Sequence, residues 1–272
     1  MDLKEINGWT DKSLTKLLQL LKQMLPKENT QPNQKLRGKK KYFVRWIWNI
    51  KKIHSCPNNY ILCRNEFEDL RRCPMCCLSC YKVKVGQKEY NDEVTKEGSP
   101  TKVIWYLPII LRLKCLFRNT NDAKNLRWHA NDRKHDGILC HLADSLQLKK
   151  VDKKFPEFGK ESRNLRLGMT IDGMNPFGNL SSNHSSWLVL LVIYKLPPAL
   201  CMKRKYMMLS LMISSPKQPG NYINVYLNPL TEDLKLLWDE GVKVFDEFDN
   251  ESFPLHIMLL CISMTSLHME TF

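Results

Sequence analysis

Acidic residues are scarce in this chain of 272 residues: 28 Asp and Glu stand against 42 Lys and Arg, a net charge of +14. That balance argues against an acidic small molecule as partner and favours a polyanion such as nucleic acid, with anionic membrane surfaces left open on charge alone. A secretory leader is not expected, because MDLKEINGW carries acids where a basic end and an apolar run are needed. Long apolar runs are missing too. Leu188 to Tyr194 is cut by Lys195 and Pro197-Pro198, and the stretch from Pro254 to Met269 contains His256 and His268, so no membrane span is expected. Cysteine, by contrast, is plentiful. Without an export signal the ten residues point to reduced thiols, metal ligands or neutral core positions before disulfides. The 43% hydrophobic content suits a globular chain that buries one sizeable core or two small ones.

Leu14, Leu17, Leu18, Leu21, Met24 and Leu25 recur at helical spacing between the capping candidates Thr10 or Ser13 and the terminating Pro26. This predicts an amphipathic helix over residues 10–25, packed on its own domain or on a partner, with a linker closing the segment 1–34. Next, Lys35 to Lys52 holds eight basic residues, no acids, and Tyr42, Phe43, Trp46 and Trp48 between them. Such a mixture suits phosphate contacts beside stacking rings, a nuclear-import patch, or a solvated basic stretch with packed aromatics. Six cysteines then fall between Cys56 and Cys80. Cys73-Pro-Met-Cys76 has the two-residue gap that lets two thiolates share a tetrahedral zinc, and Cys56 with Cys63 is the available second pair, although its six-residue gap is wide. Cys77 and Cys80 are alternative ligands, and free thiols are the alternative to a zinc site. Residues 35–86 are therefore read as a basic stretch and a cysteine-rich zinc module.

Residues 87–164 read as a linker and a mixed basic region. Pro108 forbids one uninterrupted helix from Lys102 to Phe117. His129, His135 and His141 with Asp132, Asp136 and Asp144 share no face of a helix or strand, which favours a solvated or DNA-contacting surface over a metal site. From Leu165 the texture changes. Leu165 to Asp172, Trp187 to Leu196 and Lys205 to Ser215 are strand-like runs separated by proline-containing turns, which predicts an antiparallel meander. Leu227, Leu230, Leu234 and Leu237 predict a helix ending at Gly241, with Pro229 in its first turn, and Phe253 to Met264 predicts a returning strand. Asp172 closes the first strand ahead of the turn-forming Asn175-Pro176, the way a metal-dependent nuclease-like core presents its first ligand.

Three antiparallel strands, a helix and a fourth strand, with an acid on the first, form the opening half of a ribonuclease H-like fold. The fold class expected is thus α+β, with residues 165–264 as that half-domain and 265–272 as a tail. The wording of RNLRLGMTIDGMNPFGNLSSNHSSW, VIYKLPPALCMKRKYMMLSLMISSPKQPGN and NVYLNPLTEDLKLLWDEGVKVFDEF closely resembles the plant CACTA-superfamily (Enhancer/Suppressor-mutator type) DNA transposase. NGWTDKSLTKLLQLLKQMLP, KKIHSCPNNYILCRNEFEDLRRCPMC and NLRWHANDRKHDGILCHLADS resemble its upstream region. The resemblance implies a nuclear enzyme that cuts and joins DNA at transposon ends with three carboxylates and two divalent ions, Mg2+ or Mn2+, which clamp the attacking and leaving oxygens. Asp172 matches the first carboxylate.

The sequence also departs from that pattern. The family's second aspartate follows the strand matching Leu255 to Ile262, and a later helix supplies a glutamate. Here Ser263 to Phe272 carries neither, and Glu270 stands without the intervening domain. Lys35 to Ile50 does not look like the family, as a local reading-frame slip would produce. The family has cysteine at Tyr60, tyrosine at Cys63, glycine at Cys77 and arginine at Cys80, so a zinc site needs a substitute ligand. The expectation is a truncated, catalytically inactive remnant. The alternatives are a non-catalytic DNA-binding or partner-binding protein acting on a full-length transposase, as a homo- or hetero-oligomer, or a chain whose uncovered strands prevent stable folding.

Overall fold

Leu165, Leu167, Met169 and Ile171 alternate with Arg166, Gly168, Thr170 and Asp172; the first four are all buried, and on the opposite face Arg166 and Gly168 are buried while Thr170 and Asp172 are half-buried. The computed structural model describes residues 50–82, 98–131, 144–174, 185–203, 205–215 and 222–265. The helix expected at 10–25, residues 35–49 of the basic stretch, His135, Asp132, Asp136 and His141, and the tail from 266 lie outside the described residues. The architecture is mixed α/β with a mostly antiparallel sheet.

The strands are β1 (Lys51–Ser55), β2 (Leu62–Cys63), β3 (Lys102–Tyr106), β4 (Leu165–Met174), β5 (Ser185–Ile193), β6 (Met208–Ser215), β7 (Val242–Asp246), β8 (Glu251–Leu255) and β9 (Ile257–Thr265). The helices are α1 (Ile110–Phe117), α2 (Thr120–Asn125), α3 (Trp128–Asn131), α4 (Leu146–Lys154), α5 (Pro156–Lys160), α6 (Pro198–Cys201) and α7 (Ile223–Asp239). One seven-stranded sheet runs β2-β1-β3-β6-β5-β4-β9, and β7 with β8 forms a separate hairpin. Only β9 is parallel to its neighbour, β4. The β4-β5-β6 meander follows the turn chemistry of the sequence. The cysteine-rich segment, expected ahead of the sheet, enters it instead: β1 pairs with β3, and β3 with β6.

α7 packs on β9, β6 and β3. It starts earlier than the leucine spacing indicated, and Pro229 sits inside it, not in the first turn. The energetic balance explains the correction. An interior proline costs about 3 kcal/mol or more by removing a backbone bond, but the same run seats Tyr226, Leu230 and Leu237 almost fully buried, at about 1.5–3 kcal/mol each. Gly241 stops the helix as expected: its N–H reaches the Leu236 carbonyl at 3.0 Å, and its φ of +72° is easy only for glycine.

The returning strand is a second correction, because the apolar run from Phe253 to Met264 divides at His256. Its N–H is taken by the Asn164 side chain at 3.0 Å, its carbonyl by the Leu165 N–H at 3.0 Å, and its ring by the Trp238 carbonyl at 3.1 Å. Leu255 therefore ends the small hairpin and Ile257 begins β9. The hairpin is clamped to α1 by Phe253 against Phe117, 5.2 Å between ring centres, and by the Glu247 N–H on the Phe117 carbonyl at 3.0 Å.

Arg127 closes this corner by pairing with the fully buried Asp246 and with Asp249 while stacking over Phe248. Truncating one member of a buried pair leaves the other charge without compensation. Arg127→Met is expected to lower unfolding stability by about 3–5 kcal/mol, read as a shift of the urea midpoint. An unchanged midpoint contradicts the role given to the pair.

Candidate metal centre and the carboxylate strand

β1 hands the chain to a tight loop at Cys56. The Cys56 N–H bonds the Ile61 carbonyl at 3.0 Å, and Asn59 returns its N–H to the Cys56 carbonyl at 3.0 Å, with φ of +68°. Inside this loop the Asn58 N–H donates to the Cys56 sulfur at 3.3 Å. The second cysteine loop repeats the device. The Cys73 N–H bonds the Leu78 carbonyl at 2.9 Å, the Cys77 N–H bonds the Cys73 carbonyl at 2.8 Å, and the Leu78 amide donates to the Cys76 sulfur. In each loop an amide two residues ahead is aimed at a sulfur, an arrangement that favours the thiolate.

The loops meet, and Cys56, Cys73 and Cys76 place their sulfurs within 4.8 Å of one another. The Cys56 and Cys76 sulfurs are 3.4 Å apart. A tetrahedral ion with metal–sulfur bonds of about 2.3 Å asks for sulfurs about 3.8 Å apart, so the three thiols fit a soft divalent metal. Cys63, proposed from the sequence as a fourth ligand, is not in this group; it packs with Cys80 and Tyr81. Strand geometry gives the reason. Ile61 stands opposite Cys56, and Cys63 lies two residues beyond, on the same face but about 6.8 Å further along. Cys77 is exposed.

Burial pushes the Cys56 thiol up to about 12, whereas the Leu78 amide, the largest influence, pulls Cys76 down. In the metal-free chain Cys56 therefore keeps its proton at neutral pH, and a metal must displace it.

Asp172 lies in β4 between Leu188 of β5 and Thr265 of β9 and is half-buried. Because β9 is parallel to β4, this is the carboxyl end of a parallel pair, where sheets usually present ligand-binding groups. Among the described residues no group of three His, Cys, Asp or Glu donors gathers at Asp172. The partner it meets across β9 at backbone level is a threonine position.

Strand register relates the two places. Lys52, Trp105, Met212, Leu188 and Asp172 stand opposite one another in turn across β1, β3, β6, β5 and β4, and so share one face. This is the face away from α7, because Met169, of opposite parity to Asp172, lines a groove with Leu230 and Leu234 of α7. Cys56 has the parity of Lys52 and sits at the same end of the sheet as Asp172. Four strand spacings of about 4.8 Å put β1 about 19 Å from β4, so thiols and carboxylate are separate sites on one surface. Lys52 lies over the Trp105 ring at 5.7 Å.

Residues 136–266 match the family model described as Transposase family tnp2. The match supports a transposase. It spans just under half of the chain, from ahead of α4 through β9, includes Asp172 and leaves out the thiol triad. No curated protein and no solved structure gives a match. The transposase family implies DNA as partner and the use of divalent metal. For that metal the described residues do not make a site, since no group of three His, Cys, Asp or Glu donors gathers at Asp172 among them. For the triad the donor set does fit.

Sequence spacing singled out Asp172, Cys56, Cys73 and Cys76 but not the row joining Lys52 and Trp105 to Asp172, because register is not written in any one strand. Two measurements test the triad. Metal affinity is expected to rise about tenfold per pH unit for each proton displaced between pH 6 and 8, read by competition with a chromophoric chelator; a flat profile contradicts a protonated Cys56. Cys77 adopts φ of +57°, which costs a side chain about 1–2 kcal/mol. Cys77→Gly is therefore expected to raise stability by about 1 kcal/mol and to leave metal stoichiometry intact, whereas loss of metal would make Cys77 a ligand.

Proposed function

We propose that this chain is a DNA-binding transposase polypeptide of the plant CACTA (Enhancer/Suppressor-mutator) type, acting in the nucleus on transposon ends. The observation that carries the reading is the family match falling on β4 to β9, the segment that presents Asp172 at the carboxyl end of a parallel strand pair. Ribonuclease H-like topology is part of the same proposal: β4, β5 and β6 run as a meander, α7 follows, and β9 returns beside β4 in parallel. Zinc is the ion proposed for Cys56, Cys73 and Cys76, because three thiolates suit a soft, redox-inert ion that cross-links two loops. It would bind the loops together and take no part in strand cleavage.

We further propose that the polypeptide is catalytically silent by itself. In-line displacement at a phosphodiester needs two cations held in place, and one carboxylate competes poorly with the hydration of Mg2+ or Mn2+. Its contribution is then to bind DNA, and to assemble with a transposase copy that carries the full acid set. The charge of +14 supports DNA contact through phosphates.

Purified chain is expected to retain a transposon-end duplex with strong salt dependence. Affinity should fall about 10³–10⁵-fold between 50 and 200 mM salt if six to ten phosphates are contacted. Asp172→Asn should leave binding unchanged. No nicked product is expected with Mg2+ or Mn2+; metal-dependent nicking that Asp172→Asn abolishes would overturn the silent reading, and salt-insensitive retention would overturn the phosphate one.

A further inference from the structure

β9 is the outermost strand of the seven-stranded sheet, and among the described residues no strand lies on its far side. The opposite edge is β2, only two residues long, whereas β9 runs for nine. The Leu165 N–H bonds the His256 carbonyl at 3.0 Å, and successive residues of a strand turn their backbone groups to opposite neighbours. Ile257 and Leu259 therefore present their N–H and C=O groups outward, and the register shift at Leu260 gives Ile262 the same direction. The strand reads IMLLCISMT, without the charge or proline that blunts exposed edges.

The same three residues stand opposite Leu165, Leu167 and Met169, so their side chains lie on the α7 face of the sheet. There they line the apolar groove of about 770 Å³ together with Leu227, Leu234 and Trp238 of α7, and Lys235 is the one charged residue along it. Ile262 is 57% exposed. Outward backbone groups and an apolar wall thus adjoin. A docked helix would fill the groove and leave the N–H and C=O groups of β9 unpaired, whereas a docked strand meets both needs.

Resting on the assembly reading above, we infer that β9 seats a second copy of this chain, the two β9 strands pairing antiparallel across a twofold axis normal to the sheet. Such an axis makes the contact self-complementary and keeps both α7 helices on one face, so the two grooves run into one another. Charge permits it, because two chains of +14 meet along a strand that carries none. Area permits it as well. Nine strand residues extend about 30 Å, the 17 residues of α7 extend about 25 Å, and sheet with helix stands about 20 Å tall. Two such faces bury about 1,000–1,200 Å² in all, which reaches the roughly 1,000 Å² that a specific pairing needs.

The test is sedimentation velocity of the full chain from about 1 to about 100 μM, with amide hydrogen exchange at both ends of that range. A dimer is expected to form across it, and the Ile257, Leu259 and Ile262 amides to become protected as it does. Ile262→Lys sets like charges together at the axis and should weaken the dimer at least about 100-fold. Met202→Lys, at a residue 66% exposed and outside both β9 and α7, should leave it intact. A monomer at about 100 μM overturns the inference, as does a dimer that both substitutions weaken alike or that Ile262→Lys spares. Protection of the three amides at the lowest concentration also overturns it, by assigning the edge to another segment of the same chain. Exchange in the unmodified chain decides the matter if Ile262→Lys fails to fold. Salt-sensitive retention of duplex DNA by the same samples separates the two readings: its absence in an intact dimer overturns the DNA reading alone, and its presence in a strict monomer overturns the dimer alone.

Discussion

The ladder between β3 and β6, Val103 to Tyr106 against Ser214 to Leu211, is the constraint on which the rest of the molecule depends. On one side of it stand β1, β2 and the cysteine loops. On the other stand the meander and Asp172. Its backbone bonds join segments more than a hundred residues apart in sequence, so the entropy of closing that loop must be met before either side gains from the contact. Ile104 and Tyr106, both nearly inaccessible to solvent, supply apolar burial at this junction, and the Tyr106 hydroxyl donates to Asp233 of α7.

α7 then braces both halves at once. Its first turns meet the cysteine loops, where Tyr226 donates to the Asn59 side chain and Tyr222 packs on Tyr60, while Glu232 takes Arg64 at 2.5 Å. Further along, Leu230, Leu234 and Trp238 face β4 and β9 across an apolar groove of about 770 Å³. An exposed ion pair such as Arg64 with Glu232 contributes at most about 1 kcal/mol, so the apolar seating of the helix dominates and the polar contacts fix its rotation. The cysteine loops thus rest on the same helix that backs the carboxylate strand.

Much of this was legible in the residues. Alternation in Leu165 to Asp172 revealed β4 and the face of its acid, and proline-bearing turns separated β5 from β6. Gly241 marked the end of α7. Other features depend on quantities that no local pattern carries. Pro229 looked like a first-turn residue because propensity counts the lost bond and not the burial of Tyr226 and Leu230 that offsets it. His256 divided an apolar run because three partners, the Asn164 side chain and the Leu165 and Trp238 backbones, converge on it from elsewhere. Counting residues paired Cys56 with Cys63, whereas the pleat sets them a full side-chain repeat apart. The shared row of Lys52 and Asp172 needs four registers, each fixed by contacts between segments.

That row has a geometric consequence. Each antiparallel step reverses strand direction, and four steps restore it, so β1 and β4 point the same way and their carboxyl ends form one rim. Cys56 lies four residues beyond Lys52, about 14 Å further along the strand, so Cys56 and Asp172 behave as the fixed jaws of a calliper opened to about 23 Å. A metabolite-sized ligand reaches one jaw or the other. Only an extended partner spans both, and at about 3.4 Å per nucleotide the gap corresponds to about seven consecutive phosphates of one DNA strand.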